Sequence, residues 1–554
     1  MSASRERKKR VEQSAAAQPE VKKTKKKLSQ GWIFAICMIL IFAAVVVGMI
    51  IYRHSQTHAT VLTAGGHDVE VYEFNYFYRD IAATCDQYKQ YLGIDEIPLD
   101  EQKIDSSDLS MMGIVGLDSS CLEGKEPVDG KYDMTWAELI ADNAKLNAAS
   151  AYAVYEQANK AGYELTEEEA HSIEDTMSQI KGYADENGMS VDEYVEAVFG
   201  RGCDEESYRN YLKVVSIAST YPSSLTYTAE ELAARDAENP ADFDTVAFYY
   251  YSVNGTSVKE ELDAEAAEEA TEETTEETSE ETTEEKELTA EERAELDKKA
   301  KEKAENMAKE FDVNGDNVAL HADYTREYLE SVLYSAEMPE EAIDWLYKDA
   351  KDGEVKMYTI EPEKAEGEET ETEGENKYVV IKFIDRADYN TQNYLSLTVA
   401  HDAEDAELEE GATSSKDKID MIKAALEAEP TEDRFRALIL ENLDHDHAEG
   451  EEHDHSAEGL SENQTRYGAA SASKDLFAWL MLEERKAGDW TMIEMDGQTV
   501  FYFYLEEGRP YLEMSIESTL RTEWYEELTD AAVAKCGYDK DAAMDAEISF
   551  YAAK

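Results

Sequence analysis

Asp344-Trp345-Leu346 followed by Gly353-Glu354, and Ala478-Trp479-Leu480 followed by Gly488-Asp489, are two copies of one pattern. In both, an aromatic–aliphatic pair in a helical context is closed by a glycine–acid turn. A hydrophobic strand follows each: Tyr378-Val-Val-Ile-Lys-Phe383 in one case, Thr499-Val-Phe-Tyr-Phe-Tyr-Leu505 in the other. Upstream of the first lies FDTVAFYYYSV (243–253), whose aromatic and β-branched residues suit a buried strand. Helical patterns follow it over about 290–311, 324–334 and 338–346. Upstream of the second, a strand over 394–400 leads to helices over 416–428 and 431–443, then around 476–480. Recurrence in matched order predicts two copies of one small β–α–α–α–β domain, over 239–390 and 391–512.

The region before them has a different texture. Val61-Leu-Thr and Val69-Glu-Val flank Ala64-Gly-Gly-His-Asp, a hairpin pattern in which glycines permit the turn. Phe74, Tyr78, Ile81, Tyr88 and Leu92 fall at helical spacing, and 93–133 reads as loop. Four capping-box spellings follow: Thr135-Trp-Ala-Glu138, Thr166-Glu-Glu-Glu169, Ser190-Val-Asp-Glu193 and Thr228-Ala-Glu-Glu231. Residues 60–238 are thus expected to form a mostly helical module. A last helix runs from about Ile516 to Lys535 within a C-terminal segment, 513–554.

Residues 1–30 carry ten Lys/Arg against Glu6, Glu12 and Glu20, and Gly31 to Tyr52 runs 22 residues without a charge. That length spans a bilayer core, and the basic flank belongs in the cytoplasm. No short apolar region with a small-x-small cleavage site is evident, and Ile36 stands where a lipoprotein needs a small residue before Cys37. The expectation is an uncleaved single-pass signal anchor in a bacterial-type cell membrane, with the large remainder extracytoplasmic. The fold class expected is α+β multidomain: a transmembrane helix, a helical module, two tandem α+β domains and a closing helix.

The whole chain has 53 basic and 125 acidic residues, net −72, and residues 53–554 alone stand at −79. Nucleic acid is excluded as a partner, because phosphate binding needs clustered Lys and Arg. Segments 260–285, 363–376, 402–410 and 441–458 hold 35 of the acids and one base, Lys364. The first two read as solvated acidic insertions. The last is a His/acidic loop in which His445, His447, His453 and His455 interleave with carboxylates. That mixture suits weak divalent-metal binding, and the composition favours a solvated low-complexity loop with incidental metal affinity over a built site. Of the exported cysteines Cys85, Cys121, Cys203 and Cys536, the first two could bridge, or all four could be unpaired thiols. No P-loop, GxGxxG, GxSxG or HExxH is present, so no cofactor is expected.

Together these features resemble the SurA/PrsA type of extracytoplasmic foldase over about residues 60–554. The helical module carries the closest likeness, in Lys160-Ala-Gly-Tyr-Glu-Leu-Thr-Glu-Glu-Glu169, Asp192-Glu-Tyr-Val-Glu-Ala-Val-Phe-Gly-Arg-Gly202 and Glu206-Ser-Tyr-Arg-Asn-Tyr-Leu-Lys213. The two repeats look like parvulin-type peptidyl-prolyl isomerase domains, as in Met338-Pro-Glu-Glu-Ala with Trp345-Leu and Gly353-Glu-Val. The resemblance implies a histidine in the first strand, another opening the last strand, and a Cys or Asp between them. Here Phe248-Tyr-Tyr-Tyr251 and Val379 stand at those strands in the first repeat, and the second offers only His401, just after its opening strand. His401 is either a catalytic remnant or an exposed strand-end histidine. The function implied is a membrane-anchored chaperone that reversibly binds unfolded exported polypeptides without ATP. The alternatives are an active prolyl isomerase and a surface spacer or metal-buffering protein. Aromatic candidates for client contact in the helical module are Tyr76, Tyr78, Tyr88, Tyr91, Tyr152, Tyr155, Tyr194, Tyr208 and Tyr211, each of which could instead pack its core.

Overall fold

The computed structural model describes residues 55–543 except 56, 96, 108, 274–287, 316, 333–337, 363–374, 387, 403–412 and 443–456. The basic tail, the anchor expected at 31–52, the four histidines of the His/acidic loop and most of the acidic insertions lie outside the described residues. Among the described residues no helix is long and apolar enough to cross a membrane. The chain divides into two compact units, Met1–Leu225 with Glu523–Lys554, and Thr226–Thr522. The second unit therefore takes Thr226 to Glu238, which the sequence assigned to the helical module. The C-terminal segment is shared between the units.

In the first unit β1 (Thr60–Ala64) and β2 (His67–Glu70) form an antiparallel hairpin. Its turn needs glycine twice over. Gly65 and Gly66 have φ of +58° and +73°, and a Cβ on Gly65 would come 2.1 Å from the Tyr152 carbonyl oxygen. Helix α1 (Val71–Gln87) buries Phe74, Tyr76, Phe77, Tyr78 and Ile81, so it runs through the middle of the unit. β3 (Lys103–Asp105), α2 (Leu109–Ile114) and β4 (Lys131–Thr135) occupy the stretch expected to be loop. β3 pairs with β4, and Ile104, Tyr132 and Met134 face the core. Helix α3 (Trp136–Ala161) starts on the expected box: Glu138 N–H donates to Thr135 Oγ1 at 3.3 Å and Thr135 N–H to Glu138 Oε2 at 2.9 Å. The same device opens α4 (Glu167–Glu186) and α5 (Val191–Phe199), and Asp204 caps α6 (Glu205–Ser224). The chain's last part returns here, with Cys536 C=O accepting from Thr63 N–H at 2.7 Å. Cys85, Cys121, Cys203 and Cys536 are all free thiols, so the bridge between the first two is not formed.

The second unit opens with α7 (Ala229–Glu238), whose Leu232 packs on Phe243 and Ile516. The first repeat is then β5 (Thr245–Asn254), α8 (Gly255–Glu273), α9 (Ala290–Lys309), β6 (Val318–Thr325), α10 (Arg326–Val332), α11 (Glu340–Lys348), β7 (Val355–Ile360) and β8 (Lys377–Asp385). The second follows in the same order: β9 (Asn390–Ala400), α12 (Ser415–Ala428), α13 (Glu432–Asn442), β10 (Leu460–Gln464), α14 (Arg466–Ala472), α15 (Lys474–Met481), β11 (Trp490–Met495) and β12 (Gln498–Pro510). Helix α16 (Tyr511–Lys535) ends the series. Both sheets are antiparallel with matching orders, β6-β5-β8-β7 and β10-β9-β12-β11. The repeat is therefore richer than β–α–α–α–β: it is βααβααββ. The acidic insertion at 260–285 also begins as helix, in α8, where a solvated loop was expected.

Each sheet lies between two helix pairs. On one face of the first, Phe248, Tyr250, Val379, Ile381 and Phe383 meet α10 and α11. On the other, Tyr249, Tyr251, Tyr378 and Val380 meet α8 and α9. The second sheet divides in the same way, with Tyr394, Val500, Tyr502 and Tyr504 towards α14 and α15, and Leu395, Leu397, Phe501 and Phe503 towards α12 and α13. Strands covered on both faces must be apolar at every position, which is why FYYY and FYFY do not alternate.

The glycine–acid turns that announced the repeat are one hydrogen-bonded clasp made twice. Gly353 N–H donates to Phe383 C=O at 3.0 Å and Phe383 N–H to Glu354 C=O at 2.9 Å. Gly488 and Asp489 make the same pair with Tyr504 at 3.0 and 2.8 Å. Both glycines have positive φ, +75° and +93°. A second matched device is left-handed Asp323 and Asn463, each two residues before a helix-capping threonine, Thr325 or Thr465.

Candidate client-binding cavities

Two recesses of the first unit lie where α1, α3, α6 and the β1–β2 hairpin meet. Tyr76 on α1 stacks on Tyr211 of α6 with centroids 5.0 Å apart, and packs against Phe199 and Tyr208 at 5.1 and 5.4 Å. These rings are core at their bases, but Tyr76 and Tyr211 also reach a cavity of about 370 Å³. Tyr72, Tyr152, Glu73, His58, Asp204, Glu206, Ser207 and Asn210 complete most of its wall. A second cavity of about 450 Å³ adjoins it, sharing Tyr152 and Asn210, with Gly65, Gly66, His67, Tyr155, Glu156 and Lys160 around it. Glu156 and Lys160 form an ion pair of 2.6 Å.

The partition between the two is a polar knot. Glu73, 8% exposed, accepts from Glu70 N–H at 2.9 Å and from the Tyr152 hydroxyl at 3.2 Å. His67 Nε2 lies 2.9 Å from Glu73 Oε1, and its ring stacks on Tyr152 at 4.5 Å and 17°. The hydrogen bond to Glu73 raises the pKa of His67, and the nearby charges of Asp68 and Glu70 add to that against a smaller opposing effect of burial. Burial pushes the Tyr72 phenol up to about 12, with Glu73 contributing. Tyr76, Tyr152 and Tyr211 move in the same direction, chiefly through burial, so all four phenols stay neutral at physiological pH. The walls thus offer neutral phenols interrupted by carboxylates.

Of the aromatic candidates, the structure places Tyr155, Tyr76, Tyr152 and Tyr211 on these cavities. Tyr78 and Tyr208 are buried in the core, 2% and 9% exposed, and Tyr88 packs half-buried at the C-cap of α1. Tyr194 stacks on Tyr183 at 6.3 Å on the α4–α5 side, and Tyr91 is exposed. The sequence reading missed Tyr72, His67 and Glu73. They sit at the hairpin–helix junction, where a capping pattern with Glu70 and Glu73 was the signal available.

In the repeats, sheet register locates the positions where the foldase resemblance expects histidine. Val379 pairs with Ser252 and Val500 with Thr398. His401 stands one residue past the end of β9, exposed, with Nε2 2.8 Å from Thr499 Oγ1. The imidazole that does lie on a sheet face is His321, on β6 opposite Phe248. Its ring packs against Phe248, Tyr250 and Tyr324 at 5.1, 5.8 and 5.3 Å, and burial lowers its pKa to about 4. Among the described residues no group of three or more His, Cys, Asp or Glu could hold a metal ion. No protein-family model matches the sequence, and no curated protein matches it either.

Proposed function

We propose that the protein is a membrane-anchored, extracytoplasmic chaperone that captures unfolded exported polypeptides reversibly and without ATP. The observation that carries this reading is the adjoining pair of tyrosine-walled cavities in the helical unit. Side chains of many kinds fit such walls, because a tyrosine ring presents apolar area and a polar tip at once. The duplicated sheet domains, with valine where the foldase resemblance expects the last-strand histidine, support a binding role over a catalytic one. An anchor at 31–52 would hold the cavities where clients emerge and raise their effective concentration there. Dilution of a denatured client into buffer with the full-length protein tests the reading. Slower aggregation or altered refolding is expected, and no effect on any client would overturn it.

A second reading, residual prolyl isomerisation, rests on one observation. His321 is a neutral imidazole on the aromatic face of the first sheet. If the isomerase alternative holds, turnover of a proline peptide will fall in His321→Ala and survive in His401→Ala.

A further inference from the structure

We propose that the smaller cavity of the helical unit is a cation site that takes the ammonium or guanidinium end of a lysine or arginine from the client segment. This rests on the chaperone reading above and names which segments it would prefer. Four rings, Tyr72, Tyr76, Tyr152 and Tyr211, wall the cavity, and Glu73, Asp204 and Glu206 stand among them. None of its lining residues is a lysine or arginine, and its one base, His58, is engaged with Glu70. Tyr76, Tyr152 and Tyr211 are buried, and the half-buried Tyr72 ring attracts a cation through its quadrupole, more strongly where water is displaced. Carboxylates between the rings add direct charge pairing, and an anionic side chain would meet three of them. A purely aliphatic side chain would cover the exposed Glu206 carboxylate without satisfying it.

The adjoining cavity differs in the one respect that matters. Its acid, Glu156, is paired with Lys160 at 2.6 Å, whereas the first recess has Asp204 and Glu206 besides the Glu73–His67 pair and no lysine or arginine in its wall. A client would then place a basic side chain in the first recess and an uncharged neighbour in the second. The excess of −79 beyond the anchor strengthens the same choice at longer range, since it draws basic segments towards the protein and repels acidic ones.

The test measures binding of short unstructured peptides to the full-length protein by fluorescence anisotropy. One carries lysines, one arginines, one norleucines in their place and one glutamates. Lysine and arginine peptides should bind, and the norleucine and glutamate versions should be weaker by about tenfold or more. Glu206→Lys, a change at an exposed residue, should weaken the lysine peptide by about tenfold. Tyr72→Leu should do likewise, while Glu186→Lys on the exposed end of α4 should not. Equal binding of lysine and norleucine peptides, or an unchanged affinity in Glu206→Lys, would overturn the inference. Client aggregation measured alongside separates the two claims. Protection without cation preference removes only the cation site, whereas cation-dependent binding without protection of any client keeps the site and removes the chaperone.

Discussion

The two repeats of the second unit share a plan to the level of single hydrogen bonds and differ in what they do with it. Both close the third and fourth strands with the same glycine–acid clasp, and both turn from second strand to helix through a left-handed Asp or Asn and a capping Thr. An arginine follows that threonine in each, Arg326 or Arg466. Yet His321 in the first repeat is answered by Ser461 in the second, since each precedes the left-handed residue by two. Trp345 is 3% exposed, whereas its counterpart Trp479 is half-buried. What repeats is the chemistry of turns, where backbone geometry leaves few choices. What diverges is the chemistry of faces, where any side chain of suitable volume packs.

The largest expected effect follows from the tryptophans. Trp345→Ala removes a ring packed against Phe383 and Tyr358, and should cost about 3–5 kcal/mol of stability. Trp479→Ala, at the same place in the other repeat, loses a ring capped on its outer side by the Arg485 guanidinium at 4.8 Å, and should cost about 1–2 kcal/mol. Urea unfolding of both variants measures the difference. Equal losses would mean that the two helix–sheet faces are interchangeable after all.

The same contrast explains how much could be read from the sequence. Central strands β5, β8 and β12 were legible because burial on both faces writes a nearly continuous apolar run, aromatic in β5 and β12, and β9 because Tyr394-Leu-Ser-Leu-Thr-Val is rich in β-formers. Edge strands β6, β7, β10 and β11 were not, because among the described residues each pairs on one side alone and residues such as Val355 to Ile360 are mostly half-buried. Asp323 and Asn463 at positive φ also break any regular period before it can register. In the first unit the Thr and Ser boxes fixed helix starts to the residue, since a cap is a local bond between neighbours in sequence. The cavities were only half legible. A run of tyrosines marks an aromatic core or an aromatic wall alike, and which one Tyr76 or Tyr78 joins depends on where α6 docks.

Acid should separate the repeats next. An unfolded chain protonates a histidine near pH 6.5, whereas folded His321 resists protonation until about pH 4. Between those values the unfolded state holds a proton that the folded state does not, so stability falls as pH drops through that window. The loss should reach about 3 kcal/mol by pH 4 and be absent above pH 6.5. His321→Ser writes the second repeat's residue into the first and should flatten the difference between pH 6.5 and pH 4. Denaturant melts of wild type and variant across that range check it. Parallel pH profiles would show that His321 is hydrated in solution.

The smallest effect concerns how the matched arginines are used. Arg326 pairs with Glu330 and Asp344 on the surface, each at 2.8 Å. Arg466 reaches from the second repeat back to the first, with two bonds to Asp385 of 2.5 and 3.0 Å and its guanidinium 4.1 Å from the Tyr389 ring. The Arg466 and Asp385 side chains are 11% and 24% exposed, so the pair is shielded from screening as the other is not. A double-mutant cycle over Arg466→Ala and Asp385→Ala should give a coupling of about 2 kcal/mol. The cycle over Arg326→Ala and Asp344→Ala should give none that can be measured. A shielded pair between the repeats also predicts that they unfold together. If Arg466→Ala splits one denaturation transition into two, the pair is what makes the second unit cooperative; a single transition at lower denaturant would assign that role to the apolar contact of Ala247 and Ala322 with the second sheet's core.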